Sequence, residues 1–242
     1  MSESRGAALV VGVGPGLGMS VAHRLGREGY TVALVSRSGA RHAGYVSSLA
    51  AAGVKAEAFA ADVRDHDRLL TVVDTVAERY GPVGMVYYGP GSTDPESHPV
   101  PILQAGPGDV RRAMEWAYPA VEVAQRVLPG MVERGAGGLL FATGLSAVMP
   151  MPALGNLAIL SSALRTYAVT LNAALAETGV YAGCLVIGGV IERGDIHEMV
   201  SAQPERYGPV AGMTLDPDVL ADAAWEMYAT RDRAEATFSV FG

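Results

Sequence analysis

Short apolar runs alternate with stretches of helical period along almost the whole chain. Positions 9–12 read as a strand, and 17–27 as a helix with Val21, Ala22 and Leu25 on one face. Positions 31–35 form a second strand. Positions 43–52 form a helix stopped by Gly53, a residue suited to a left-handed helix end. A short third strand covers 56–61, a helix 65–80 turns Leu69, Val72, Val73 and Val76 inward, and 83–88 is the fourth strand. Positions 89–107 are rich in Pro, Gly, Ser and Asp and read as a loop. One long helix over 109–134 follows, with Pro119 marking a bend. Strand 138–143, helix 157–177 and strand 180–187 come next, then an irregular stretch 190–217, helix 218–230 and strand 237–240. Strands that are apolar throughout, alternating with helices, belong to a parallel sheet covered on both faces. No repeat, low-complexity tract or linker interrupts the pattern. The expected architecture is α/β: a single doubly wound, Rossmann-type domain over 1–242, with a seven-stranded, mainly parallel sheet and helices on both faces.

Composition narrows the partners. A chain of 242 residues that is 50% hydrophobic buries a sizeable core. Its formal charge of -7 argues against nucleic acid and anionic membrane surfaces. The single cysteine, Cys184, lies in an apolar run and reads as core packing. Neither a secretory pattern at the N-terminus nor a bilayer-length apolar segment is present in the sequence, so a soluble, cytoplasmic protein is expected. No Cys/His or His-x-x-x-His spacing suggests a metal.

The first strand runs directly into Gly12-Val13-Gly14-Pro15-Gly16-Leu17-Gly18 and then into a helix. This order brings bare backbone amides up to a pyrophosphate. After the second strand stand Ser36, Arg37 and Ser38, where the adenosine ribose of a bound dinucleotide would lie. A carboxylate there would accept the ribose 2′-hydroxyl, whereas a hydroxyl plus a guanidinium suits a 2′-phosphate. NADP(H) is therefore expected over NAD(H). The third strand ends near Asp62-Val63, whose carboxylate is placed to accept from the adenine amino group.

On these residues the chain resembles the short-chain dehydrogenase/reductase family over essentially its whole length. Gly12, Gly16 and Gly18 match the family's Gly-x-x-x-Gly-x-Gly, and Asp62-Val63 its adenine-site Asp-Val. Tyr88-Gly89-Pro90-Gly91 stands where the family has Asn-Asn-Ala-Gly, implying cofactor contacts from Gly89 and Gly91. Gly188-Gly189-Val190-Ile191 is similar to the family's turn after the sixth strand, and the resemblance implies a substrate lid near 190–217.

The family's Asn, Ser, Tyr and Lys fall on Trp116, Gly144, Leu157 and Ser161. Of the 18 Lys and Arg residues one alone is lysine, Lys55, on the adenosine half of the sheet, so the Tyr-x-x-x-Lys pair is absent however the motif is drawn. The candidates to replace it are Ser146, Tyr88 and Asn156. Ser146 is either a donor to a substrate oxygen or a loop hydroxyl bonded to its own backbone. Of Tyr87 and Tyr88 strand alternation turns one to each face, with Tyr88 expected toward the cofactor. Asn156 is either a site residue or a helix cap. His197 lies in the lid segment as a further titratable group. Met149, Pro150, Met151, Met199 and Met213 suggest an apolar or aromatic ligand. Val121, Val123, Val127, Leu164, Val169 and Leu171 form stripes on helices 109–134 and 157–178, which in the resembled family pair across a two-fold axis, implying a homodimer or homotetramer.

Three functions stay open on the sequence: an NADP(H)-dependent oxidoreductase with a non-standard proton donor, a redox-neutral cyclase, isomerase or lyase on the same scaffold, or a catalytically silent NADP-binding partner.

Overall fold

The apolar runs assemble side by side because the central strands are too hydrophobic on both faces to meet water, while the two edge strands, Ala56–Ala60 and Glu235–Ser239, are only partly buried. The computed structural model describes residues 5–207, 210 and 212–241. Its strands and helices in chain order are β1 (Ala7–Val11), α1 (Leu17–Arg27), β2 (Thr31–Ser36), α2 (His42–Ala51), β3 (Ala56–Ala60), α3 (His66–Tyr80) and β4 (Val83–Tyr88). There follow α4 (Pro107–Met114), α5 (Tyr118–Arg134), β5 (Gly137–Gly144), α6 (Gly155–Ala174) and β6 (Val180–Gly188). The chain then forms β7 (Val190–Ile191), α7 (Asp195–Ser201), α8 (Pro204–Tyr207), β8 (Thr214–Leu215), α9 (Pro217–Thr230) and β9 (Glu235–Ser239). The main sheet has seven strands in the order β3-β2-β1-β4-β5-β6-β9. Every neighbouring pair in it is parallel, so the sheet is wholly parallel rather than mainly so.

Strand alternation divides the interior in two. Leu9, Val11, Val86, Tyr88 and Phe141 pack with side chains of α3, α5 and α6, whereas Val10, Leu34, Met85, Tyr87 and Leu140 pack with those of α1 and α9. Helix ends follow local chemistry: the Asp65 carboxylate caps α3 by accepting from Arg68 N at 3.1 Å, and α5 stops on Gly135 in the left-handed region. No described helix is long and apolar enough to cross a membrane.

Two sequence expectations are corrected here. The helix expected over 109–134 is two helices. α4 closes through Trp116 N to Ala113 O (3.1 Å) and Ala117 N to Met114 O (2.8 Å), and α5 restarts with Pro119 in its first turn, where a missing N–H costs nothing. The stretch 190–217 is not irregular throughout, since β7 pairs with β8 and α7 and α8 lie between them; positions 208, 209 and 211 lie outside the described residues.

Candidate active site

In a parallel sheet every strand ends on the same edge, so the turns after β1 to β6 gather there. From β1 the chain moves outward to β2 and β3, then returns to place β4 on the other side of β1. Open α/β sheets bind ligands at such a reversal, outside the carboxyl ends of the strands. Gly12 stands at that point with φ +92°. Its amide and that of Val13 both donate to Val35 O, at 2.9 and 3.0 Å, while Gly89 N donates to Val11 O at 3.0 Å. A Cβ on Gly12 would lie 2.5 Å from the Pro90 backbone, and one on Gly18 would lie 2.8 Å from Gly12 O. Around Gly14 a Cβ would meet nothing within 4 Å, and Pro15 beside it is half-buried. Gly16 precedes α1 without a side-chain cap, and the Leu17 and Gly18 amides have no acceptor among the described residues. The turn is thus shaped by backbone contact on one side and open on the other.

Toward the adenosine end each expected residue already has a protein partner. Ser36 Oγ lies 2.8 Å from His42 Nε2 and donates to Ser38 O at 3.2 Å, and Ser38 Oγ accepts from Ala40 N at 3.2 Å. The Arg37 guanidinium is ion-paired with Asp94, which holds the Asp94 carboxyl below its ordinary range. Asp62 accepts from Arg64 N at 2.9 Å and from its guanidinium at 2.8 Å, so its carboxyl is also held low. Arg64 in turn lies 5.5 Å over the Trp116 ring, and Val63 is buried in the α3-side core.

The expected catalytic residues separate. Tyr88 is fully buried on the α3 and α5 side, and its hydroxyl donates to Trp116 O at 2.7 Å. Burial pushes its pKa upward, and the phenol is spent on a structural bond rather than turned to the crevice as expected. Asn156 does not cap α6: Leu154 holds that position, and Asn156 Oδ1 accepts from Val100 N at 2.8 Å. Ser146 is 8% exposed and Ser161 6% exposed, and neither hydroxyl has a partner among the described residues. A Cβ placed on Gly144, the last residue of β5, would lie 3.5 Å from Ser146 Oγ and 3.3 Å from Ser161 Oγ. The hydroxyls of two nearly buried serines, without a partner among the described residues, therefore flank one glycine at the ligand edge. Thr143 Oγ1 and Ser162 Oγ are already bonded, to Ser161 O at 3.3 Å and Ala158 O at 2.8 Å. From the sequence Ser161 is only the position where the family's Lys falls, because its approach to Gly144 depends on how β5 meets α6.

The segment after β6 closes over this edge. Glu192 O and the Gly194 backbone come within 3.0 and 3.1 Å of a Cβ built on Gly16, and the Ile196 side chain within 3.9 Å of one on Gly91. Arg41 Nη1 donates to Asp195 Oδ1 at 2.6 Å. Beside that pair a cavity of about 490 Å³ is lined by Arg41, Thr93, His98, Glu198 and Gln203, with Met199 its one apolar wall. The apolar lining expected from the methionines is not gathered there, since Met151 packs into the core and Met149 and Met213 are exposed at 37% and 36%. His197 has no bonded partner among the described residues.

A model of the short chain dehydrogenase family matches residues 6–203. The chain belongs to the short chain dehydrogenase family. A 1-deoxy-11β-hydroxypentalenate dehydrogenase of Streptomyces avermitilis is 28% identical over 223 residues, covering 90% of this chain and 79% of that one. A short chain dehydrogenase of Pseudocercospora fijiensis is 28% identical over 190 residues, covering 76% of this chain; the match spans 59% of that relative's own length. Among solved structures, a variant of actinorhodin polyketide ketoreductase with NADPH superposes with a TM-score of 0.85 at 22% identity, covering 99% of this chain and 97% of that one. The fold is therefore that of the family, from the glycine turn to the last strand.

Proposed function

We propose that this protein is an NADP(H)-dependent oxidoreductase of a small carbonyl or alcohol compound, in which Ser146 is the hydrogen-bond and proton donor to the substrate oxygen. The observation that carries the reading is the pair of hydroxyls, on serines that are nine-tenths buried, that flank Gly144 without a hydrogen-bond partner among the described residues, on the edge where such sheets bind ligands. The crevice fits a dinucleotide. Gly12, Gly14, Pro15, Gly16, Leu17 and Gly18 form a tight turn in which a side chain at Gly12 or Gly18 would collide with neighbouring backbone while the space at Gly14 is open, and the uncapped first turn of α1 offers free amides to a pyrophosphate. Gly89 and Gly91 would line its other wall, Asp62 and Val63 the adenine end, and Ser36, Arg37 and Ser38 the ribose 2′-phosphate. The NADPH-bound and NADP-bound neighbours support that choice.

A bound nicotinamide supplies or accepts the hydride. Ser146 Oγ donates to the substrate oxygen as negative charge develops there and passes its proton to it, and a proton from solvent restores the hydroxyl. Leu157 and Ser161 stand where the family's Tyr and Lys fall. The one lysine, Lys55, precedes β3 at the opposite edge, with its ammonium 5.1 Å over the Tyr80 ring, which supports a proton route without it. Tyr88 and Asn156 have positioning roles, holding the joint between α4 and α5 and the loop after β4. The segment 190–217 is the substrate lid, and the protein acts as a homodimer or homotetramer through α5 and α6.

The test is turnover of NADPH against a panel of small ketones and aldehydes, followed at the nicotinamide absorbance band. Ser146→Ala is expected to lower kcat by about 10² or more with little change in KM, as for loss of a positioned donor. Product formed without absorbance change would replace the redox reading by an isomerase or lyase, and an unchanged kcat in Ser146→Ala would remove Ser146 from the chemistry.

A further inference from the structure

Two ion pairs hold the connection between β2 and α2, and both lead across the crevice. Arg37 and Arg41 stand at the two ends of this five-residue connection, 37–41. Arg37 is paired with Asp94, from the connection after β4, and Arg41 with Asp195, the first residue of α7. The segment running into α7 is the one seated on the glycine turn, through Glu192 and Gly194 on Gly16 and Ile196 on Gly91. α7 itself buries Val200 alone, and the cavity of about 490 Å³ separates it from the 93–98 segment. Arg193, just before it, is tied to Ser20 and Asp218, and within α7 itself the Arg41–Asp195 pair is the one side-chain hydrogen bond or ion pair among the described residues.

Resting on the NADP(H) reading above, we infer that Arg41 is a second ribose-phosphate ligand and that Asp94 and Asp195 are stand-in anions, so that a 2′-phosphate releases α7 from the crevice while an unphosphorylated ribose leaves it closed. A carboxylate and a phosphate present the same kind of paired oxygen acceptors to a guanidinium, and the phosphate carries the larger charge. Both pairs are exposed, with the Arg41 and Asp195 side chains at 53% and 44%, and exposed pairs are weak enough for a dianion to displace. Discrimination against a dinucleotide lacking the phosphate then has two sources: lost contacts at Arg37 and Arg41, and a crevice still covered by 192–196.

The experiment is hydrogen exchange of the 195–201 amides in the full chain, with adenosine 2′,5′-bisphosphate and adenosine 5′-monophosphate as probes. The bisphosphate is expected to speed exchange there several-fold and the monophosphate to leave it unchanged. Asp195→Asn is expected to show the faster exchange without ligand and to bind the bisphosphate up to about fivefold more tightly, the range of an exposed ion pair. Arg41→Ala is expected to show the faster exchange without ligand and to lose affinity for the bisphosphate but not for the monophosphate. Preference for the bisphosphate without any change at 195–201, or Asp195→Asn indistinguishable from wild type, overturns this inference alone. Equal affinity for the two probes overturns the NADP(H) reading beneath it.

Discussion

At the residue scale, burial and bonding sort hydroxyls of similar chemistry into different roles. Tyr88 has the more acidic hydroxyl type, yet its phenol is enclosed and committed to Trp116 O, and burial raises its pKa further from neutrality. Ser146 is the weaker acid, but its hydroxyl is unpaired beside Gly144 at the open edge. A proton donor needs geometric access first and a suitable pKa second. Tyr88→Phe is therefore expected to destabilise the fold by about 1–3 kcal/mol, because Trp116 O loses its buried donor. Its kcat at saturating substrate should stay within about twofold of wild type, far from the 10² or more expected of a lost positioned acid. Urea titration and steady-state kinetics on the same preparation check both halves, and a large kcat loss without destabilisation would return Tyr88 to the chemistry.

At the element scale, the strands and most helices follow from local pattern, while their joints do not. β4 and α1 have the boundaries read from the sequence, because apolar run and helical period change there without ambiguity. α4 and α5 read as one helix because the apolar positions continue across 115–117, and only the backbone bonds of Trp116 and Ala117 end the first helix there. Asn156 is a second case. Nothing near it in sequence points to Val100, yet its Oδ1 accepts that amide, and Ile102 N donates to Pro152 O at 2.8 Å beside it. Asn156 thereby fastens the loop after β4 to the start of α6. Asn156→Ala is expected to cost about 1–3 kcal/mol, since a part-buried amide is left without an acceptor. Asn156→Asp, which keeps an acceptor oxygen, should retain much of the stability. Denaturant titration with exchange at the 98–106 amides measures this, and an unperturbed loop in Asn156→Ala would contradict the assignment.

At the scale of the whole molecule, acid stability and assembly are the measurable consequences. The carboxyls of Asp62 and Asp94 are held low by Arg64 and Arg37, and that of Asp218 first by a hydrogen bond from Ser20 and then by Arg193. Groups with a depressed folded-state pKa contribute stability above the unfolded value of about 3.9 and lose it as pH falls through the folded one. Tm is therefore expected to fall below about pH 4, by less at high salt because these pairs are exposed. Melting curves between about pH 6 and pH 2.5 at two ionic strengths read it, and an acid limb of the same depth at both would point to other groups. For assembly, the stripe expected to pair two copies is partly used up inside one: Val123, Val127 and Leu164 are buried in the chain's own core. Tyr118, Val132 and Ile159 remain exposed on α5 and α6, at 46%, 42% and 41%. Light scattering is expected to give two or four times the chain mass, and Tyr118→Asp with Ile159→Asp should shift it toward one; a monomeric wild type would refute the homo-oligomer.

The amino-acid sequence by itself determined the doubly wound sheet, the glycine turn and the single lysine, Lys55. Each of these is local: an apolar run, a residue without a Cβ, a count of lysines. Tertiary structure alone decided which way Tyr88 turns, that Ser146 and Ser161 share Gly144, and that Asp94 and Asp195 come to Arg37 and Arg41. The bonds and ion pairs among these join residues 28 to 154 positions apart, and such distances in the chain leave no periodic mark. They exist because parallel strands carry every turn to one edge, where unpaired hydroxyls and charges meet.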